Sequence, residues 1–325
     1  MQSWLERQWC GITPWHLLLW PLSRLFWVLL ALRRKAYAAG ILKSWRAPVP
    51  VVVVGNITVG GTGKTPLALW LVHSLRQNGY HPAIVSRGYG GKAREPQAVH
   101  AGSSAAEVGD EPLLMAQRSG CPVWIGRDRP AAVQGLLAAQ PQCDVVICDD
   151  GLQHYALARD VEIAVVDGRR RLGNGMLLPA GPLRESASRL REVDAVVIHG
   201  GEAMPGEYAM RLVGAHFRNV ADRARVAGAG DFVGLSLHAV AGIGNPQRFF
   251  DHLTALGLDV RAHAFPDHHP YHASDLQFRD AQAILMTEKD AVKCAAFAEP
   301  KWWYLEVDAQ VSDALGRVVL NRLRK

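Results

Sequence analysis

The chain has 325 residues, 49% hydrophobic and 20% charged, which excludes a disordered or collagen-like protein and leaves room for two buried cores. Its net charge of +6 favours anionic partners, be they nucleic acid, acidic lipid or phosphorylated substrates, without choosing among them. Cys10, Cys121, Cys143, Cys148 and Cys294 include no C-x-x-C pair, which argues against a zinc ribbon or a thioredoxin-like motif, and their odd, scattered count suits a reducing compartment.

The N-terminus is the apolar outlier. Residues 15–32 read WHLLLWPLSRLFWVLLAL and are followed by Arg33, Arg34 and Lys35. A spanning helix needs about 20 apolar residues. This run is shorter, carries Arg24 in its middle and is interrupted by Pro21. The basic cluster follows the apolar stretch, whereas a secretory signal places its charges ahead. An interfacial helix is therefore expected, with Trp15, Trp20 and Trp27 at the headgroup boundary and the basic residues facing anionic lipid.

After Pro48 and Pro50, residues 51–54 are four valines, as in a strand buried on both faces. A glycine-rich turn follows, then a helix-like run over 66–72 with Pro66 near its start. This strand–loop–helix order frames GNITVGGTGKT, residues 55–65. A phosphate loop needs glycines so that backbone N–H groups approach phosphate oxygens, a lysine for the terminal phosphates and a hydroxyl for Mg2+. Gly60, Gly61, Thr62 and Gly63 meet the first need, Lys64 the second and Thr65 the third. Thr58 stands where the usual spacing has glycine.

Further strands are expected at 82–85, 122–125, 144–148, 162–166 and 195–198, with helix-like segments rich in leucine and alanine between several of them. The first of these leads into the loop Ser86-Arg87-Gly88-Tyr89-Gly90-Gly91. Gly109-Asp110-Glu111-Pro112 opens a helix, where Asp110 reads as a cap on its own merits. Asp149 and Asp150 end a buried strand, the expected place for a carboxylate serving Mg2+, and Gln153 and His154 follow closely. The stiff loop 178–185 carries Arg184 and Glu185, suited to a phosphate or to a structural corner. From about residue 230 the pattern restarts, with strands at 239–243 and 283–286 and a helix at 247–256. The segment 265–272, FPDHHPYH, is either a surface loop or a source of a histidine proton relay.

Alternating strands and helices imply an α/β fold: a P-loop NTPase-like parallel-sheet domain over 36–225, a smaller α/β domain over 226–325 and an N-terminal membrane-associated helix over 1–35. The boundary is expected in the glycine- and arginine-rich stretch 211–231.

Taken together and in order, the apolar N-terminal helix, GNITVGGTGKTP, SRGYGG, VGDEP, DDGLQHY, LPAGPLRE, FPDHHPY and TEKDAVK closely resemble the tetraacyldisaccharide 4'-kinase family, the lipid A 4'-kinases of Gram-negative bacteria. The resemblance implies a cleft between a larger P-loop domain and a smaller α/β domain. It implies transfer of the ATP γ-phosphate, with Mg2+, to the 4'-hydroxyl of a tetraacylated glucosamine disaccharide 1-phosphate. Lys64 and Thr65 would then serve the phosphates and the metal, with Asp149, Asp150 and Glu185 around the metal. Asp110 would be the base, partnered by His268 or by His269, while Arg87, Tyr89, Gln153, His154 and Arg184 would line the acceptor side. The expected partners are the lipid acceptor and the anionic cytoplasmic face of the inner membrane, with neither nucleic acid nor an obligate protein partner. Two other classes fit less well. A partitioning-type ATPase would carry lysine where Val59 stands, and in Thr287-Glu288-Lys289-Asp290 the lysine comes one place late for a guanine-reading motif.

Overall fold

The computed structural model describes residues 8, 9 and 11–324; Cys10 and the first seven residues of the N-terminal segment lie outside the described residues. Helix α1, Pro14–Ala38, is followed by β1, Val51–Gly55, and by α2, Lys64–Gln77. Next come β2, Pro82–Ser86, β3, Gln97–Val99, the short α3, Ala105–Val108, and α4, Asp110–Arg118. Then β4, Val123–Ile125, α5, Arg129–Ala139, β5, Val145–Asp149, β6, Val161–Asp167, and β7, Ala195–His199, complete the larger lobe's alternation. The remainder is β8, Glu207–Asn219, β9, Val226–Gly228, β10, Leu237–Ala241, α6, Pro246–Ala255, β11, Val260–Ala264, β12, Ala283–Thr287, α7, Glu288–Cys294, β13, Trp302–Val311, and α8, Asp313–Leu323.

The thirteen strands of the described residues join one sheet, in the order β11-β10-β12-β13-β8-β7-β6-β1-β5-β2-β4-β3, with β9 added on β8. The four valines of β1 alternate between two cores, as a period of two requires. Val52 and Val54 face Leu67, Leu71, Leu75 and Met115, whereas Val51 and Val53 face Ile57, Val133, Leu136 and Leu157. Strand β1 lies between β5 and β6 in parallel register, with β2 beyond β5 and β7 beyond β6. The connection out of β1 passes to one side and that from β5 to β6 crosses back, so a crevice opens at the carboxyl ends of these strands.

Three features differ from the sequence expectations. Helix α1 runs unbroken through Pro21, because a proline deletes one i→i−4 hydrogen bond and the surrounding turns carry the helix past it. At 25 residues it is long and apolar enough, by length and composition, to cross a membrane, so a short apolar run no longer argues against spanning. Second, the stretch 211–231, where the boundary is expected, holds regular strand structure. It begins inside the 13-residue strand β8, which pairs antiparallel with β13 and carries the sheet past position 225. Third, the chain end returns to the larger lobe, where Leu315 and Val319 of α8 join the core beside α2. The smaller lobe has its own cores, one around Phe217, Phe249, Phe250 and Leu285 and one around Val240, Tyr271, Ile284 and Trp302.

Candidate active site

The phosphate-loop wall is built from consecutive residues. Gly63, at φ +90°, precedes α2, and a Cβ there would lie 2.5 Å from His199 Nδ1, so only glycine fits. The loop is braced by the segment 178–185: Val59 N donates to Pro182 O at 2.9 Å and Arg184 N to Ile57 O at 2.7 Å. Thr58 forms a β-bridge with Leu183 and is buried, with no left-handed backbone, which is why this position tolerates a side chain. Lys64 Nζ and Arg184 Nη1 each lie 3.4 Å from Asp150 Oδ1. Burial opposes the charge of Asp150, but Lys64 and then Arg184 outweigh it and hold the carboxyl down at about 2. Its neighbour Asp149 goes the other way: burial, reinforced by Glu111, pushes its carboxyl up to about 7. Ser86 Oγ donates to Asp149 Oδ2 at 3.2 Å, while Asp149 Oδ1 is buried without a partner.

The opposite wall is assembled from distant segments. Gly109, at φ +91°, has Tyr89 O 2.5 Å from where a Cβ would be, and it sets Asp110 at the first position of α4. Asp110 is buried, and its Oδ2 lies 2.9 Å from Nδ1 of His268, which comes from the smaller lobe. His268 itself has a left-handed φ of +60°. His269 turns away and meets Asp275 Oδ2 at 3.1 Å. Lys289 closes the group: its Nζ is 3.0 Å from Glu111 Oε1, 3.1 Å from Asp267 Oδ1, 3.4 Å from His268 Nε2 and 3.9 Å from Asp110 Oδ2. Burial would raise the pKa of Asp110, but the His268 hydrogen bond and the Lys289 charge bring it below the ordinary carboxylate value. Burial lowers His268, and the Asp110 hydrogen bond more than reverses this. Asp110 thus stays ionised, with a donor fixed on it. Arg118 of α4 adds a further cross-lobe pair, to Glu288 at 2.7 Å.

Among the residues expected from sequence, Tyr89 sets its ring 5.0 Å from that of His268, and Arg87 stands exposed at the end of β2. Gln153 donates to Asn56 O at 3.0 Å and to Glu185 Oε1 at 2.7 Å, and Tyr155 OH donates to Glu185 Oε2 at 2.6 Å, so both oxygens of Glu185 are engaged. His154 is kept neutral, its pKa lowered to about 4 by burial and then by Arg129. No group of three or more His, Cys, Asp or Glu side chains suited to a metal ion occurs among the described residues.

The sequence reading missed several residues around the loop. Buried Arg129 donates to Gly126 O and, at 3.3 Å, to Asp149 O. His199 Nδ1 lies 2.9 Å from Thr62 O and from Arg248 Nη1, and Arg248 also meets Asp167 at 2.9 Å. Burial and the adjacent Arg248 charge take His199 down to about 4. Asp167 and His199 end β6 and β7, and their place at carboxyl strand ends in a parallel sheet was the available signal.

The arrangement sets a phosphate-binding loop with one fixed cation opposite an ionised, histidine-held carboxylate. That geometry suits phosphoryl transfer to a hydroxyl. The family model described as tetraacyldisaccharide-1-P 4'-kinase matches residues 15–324. The tetraacyldisaccharide 4'-kinase of Methylobacillus flagellatus is 53% identical over 322 residues, covering 99% of this chain and 96% of that one. Its counterpart in Azoarcus sp. is 56% identical over 322 residues, covering 97% and 94%. Among solved structures, the "apo" form of LpxK from Aquifex aeolicus in complex with ATP superposes with a TM-score of 0.80 at 29% identity, covering 95% of this chain and 99% of that one. The chain belongs to the tetraacyldisaccharide-1-P 4'-kinase family.

Proposed function

We propose that the protein phosphorylates the 4'-hydroxyl of a tetraacylated glucosamine disaccharide 1-phosphate with ATP, a step in lipid A assembly. The observation that carries this reading is the Asp110–His268 pair at 2.9 Å, in a protein whose glycine-rich loop after β1 presents Lys64 at the start of α2. The acceptor's 4'-oxygen attacks the γ-phosphorus, its proton passes to the Asp110 carboxylate, the bond from γ-phosphorus to the bridging oxygen breaks, and ADP leaves. The transition state is loose, so positioning and positive charge do most of the work. Lys64 neutralises charge on the terminal phosphates. His268 donates to Asp110 from one side and orients it.

Mg2+ fits the residues present. Asp149 Oδ1 is a buried acceptor without a partner, its carboxyl takes a proton readily when no cation is near, and the Thr65 hydroxyl sits at the start of α2. Asp149 and Thr65 would hold the ion, with Asp150 beside them, and when bound it supplies positive charge to the β- and γ-phosphate oxygens.

In this reading residues 36–225 and 226–325 supply the two sides of the cleft, except that Leu315 and Val319 pack back on the first and Phe217 packs with the second. Helix α1 is the membrane element, working at the anionic cytoplasmic face of the inner membrane. Only His16 and Ser23 of its 25 residues are buried, while Leu17, Leu18, Trp20, Leu22, Leu25, Leu29 and Leu32 stand exposed. Arg24 lies over the rings of Trp20 and Trp27, an amphipathic pairing suited to headgroups. Ser23 Oγ ties the helix to the site, donating to Leu177 O at 2.9 Å and accepting from Ala180 N at 3.0 Å in the segment that braces the phosphate loop.

Incubation with γ-labelled ATP, Mg2+ and the disaccharide 1-phosphate lipid tests the assignment. Label is expected in the lipid as a 4'-phosphomonoester. Nucleotide hydrolysis indifferent to the lipid, with no label transferred, would make the protein a nucleotide switch instead.

A further inference from the structure

Three consecutive arginines, Arg169, Arg170 and Arg171, follow β6 in a turn that Asp167 pins. Arg169 N and Arg170 N donate to Asp167 Oδ1 at 2.9 and 3.0 Å, and Arg171 N donates to Asp167 O at 2.7 Å. The outer two side chains are engaged by carboxylates: Arg169 meets Asp251 at 3.2 Å, and Arg171 Nη1 meets both oxygens of Glu207 at 2.8 and 2.9 Å. Arg170 is different. Its ion pair among the described residues runs from Nε to Asp167 Oδ2 at 3.8 Å, beyond hydrogen-bond reach, and Arg248 Nη2 already holds that oxygen at 2.9 Å. The two terminal nitrogens of Arg170 donate to nothing among the described residues.

Those nitrogens lie against the phosphate loop. A Cβ on Gly60 would sit 3.4 Å from Arg170 Nη2 and 3.7 Å from Nη1, and Gly60 has a left-handed φ of +92°. A side chain at this position would be strained and would fill the space in front of the guanidinium. Arg170 and Asp167 also border a cavity of about 40 Å³ that Thr58 and Val59 line, so the loop is not packed hard against the arginine. The other cations of the cleft have protein partners: Lys64 and Arg184 face Asp150, and Lys289 faces Glu111 and Asp267. Arg170 alone of these five is half-buried beside the loop with both terminal nitrogens uncommitted. A planar guanidinium fork in that state matches two oxygens of one phosphate.

Resting on the phosphoryl transfer proposed above, we infer that Arg170 donates from Nη1 and Nη2 to the nucleotide's phosphate oxygens at the loop and acts in cis as an arginine finger. The bonds that form and break are those already given: the 4'-oxygen to γ-phosphorus bond forms, and the bond from γ-phosphorus to the bridging oxygen breaks. Negative charge grows on the bridging oxygen as ADP departs, and the guanidinium offsets it without gaining or losing a proton. Asp167 serves as a positioning residue, holding the turn by its backbone donors while Arg248 satisfies its second oxygen.

The test uses full-chain variants in neutral-detergent micelles with ATP, Mg2+ and the disaccharide 1-phosphate lipid. Arg170→Gln should lower kcat by roughly 10²–10³-fold and change the KM for ATP by no more than about threefold, because the contact strengthens as charge reaches the leaving oxygen. Arg170→Lys should regain about tenfold of that loss, since the charge returns without the fork. Arg169→Gln, which gives up an exposed ion pair, should stay within about threefold of the parent. A second readout leaves out the lipid. Binding of MgADP with aluminium fluoride, a mimic of the phosphoryl group in flight, should weaken by roughly tenfold or more in Arg170→Gln, with the affinity for MgADP alone unchanged. A raised KM for ATP at unchanged kcat would overturn the inference, because the contact would then belong to the ground state. Equal binding of the fluoride complex by Arg170→Gln and the parent would overturn it too, as would a loss of the same size in Arg169→Gln. If the parent labels no lipid, the acceptor proposed above is wrong, and binding of the fluoride complex still decides the role of Arg170.

Discussion

The two walls of the cleft are built in opposite ways. The phosphate-loop wall comes from a short, local stretch of one lobe: the turn after β1, the first residues of α2 and the strand-end pair Asp149 and Asp150. The acceptor wall exists only where the lobes meet, because Asp110 and Glu111 belong to the larger lobe while Asp267, His268 and Lys289 belong to the smaller. The proposed nucleotide site would therefore be complete within one lobe, whereas Asp110, the proposed base, has its carboxyl lowered, against burial, by His268 and Lys289 from the other.

This contrast makes separate predictions for the two walls. Lys64→Ala should produce the largest loss, lowering kcat by roughly 10²–10³-fold or more, since it removes the fixed charge aimed at the transferred group. The shape of the pH profile should not change, because Lys64 does not touch the dyad. A shifted acid limb in this variant would break the separation. Lys289→Met should do the reverse. Asp110 loses a nearby cation, so its pKa rises, and the ionised base is lost at higher pH as the medium is acidified. The acid limb of kcat/KM should move upward by about one unit, with little loss at the original optimum, where the base stays ionised. A merely structural lysine would lower the melting temperature and leave the limb where it is.

The smallest expected effect concerns stability. The carboxyl of Asp149 lies near 7 in the folded protein, above its ordinary value of 3.8, so the folded state binds its proton more tightly than the unfolded chain does. Its destabilising contribution is therefore absent below pH 3.8, grows as pH rises, and is fully present above about 7. Without Mg2+, Asp149→Asn should melt a few degrees higher than the parent at pH 8, and the gap should close as the pH approaches 4. Mg2+ should raise the parent's melting temperature and leave the variant's unchanged. Equal responses of the two proteins to Mg2+ would move the metal away from Asp149.

The same contrast decided how much could be read from sequence. The phosphate-loop wall was legible because its chemistry is contiguous, with four valines, a glycine turn, lysine and threonine within residues 51–65. Asp110 was ambiguous alone, since an acidic residue opening a helix is accounted for by capping, and only resemblance singled it out. Lys289 could not be read at all. Its partners lie 178 and 22 residues away, and nothing in TEKDAVK signals that the side chain points at a histidine. Arg129 resembled an ordinary first-turn residue of α5, yet it is buried under Asp149. Strand β8 was hidden for a different reason. Much of its length is exposed or half-buried, so residues 207–219 lack the apolar run that marked β1 and β5. The sheet consequently passes through a stretch whose composition reads as a linker.

The claim that the base is a cross-lobe pair is tested most directly by a double-mutant cycle on Asp110 and His268. Asp110→Asn keeps the side chain's size and its capping oxygen and removes the charge, so kcat should fall by roughly 10²–10⁴-fold with little change in melting temperature. His268→Ala should cost less, and the double variant should be scarcely slower than Asp110→Asn alone, because partners in one device lose their function together. If the two losses instead multiply, Asp110 and His268 act separately and the pair described here is not the base.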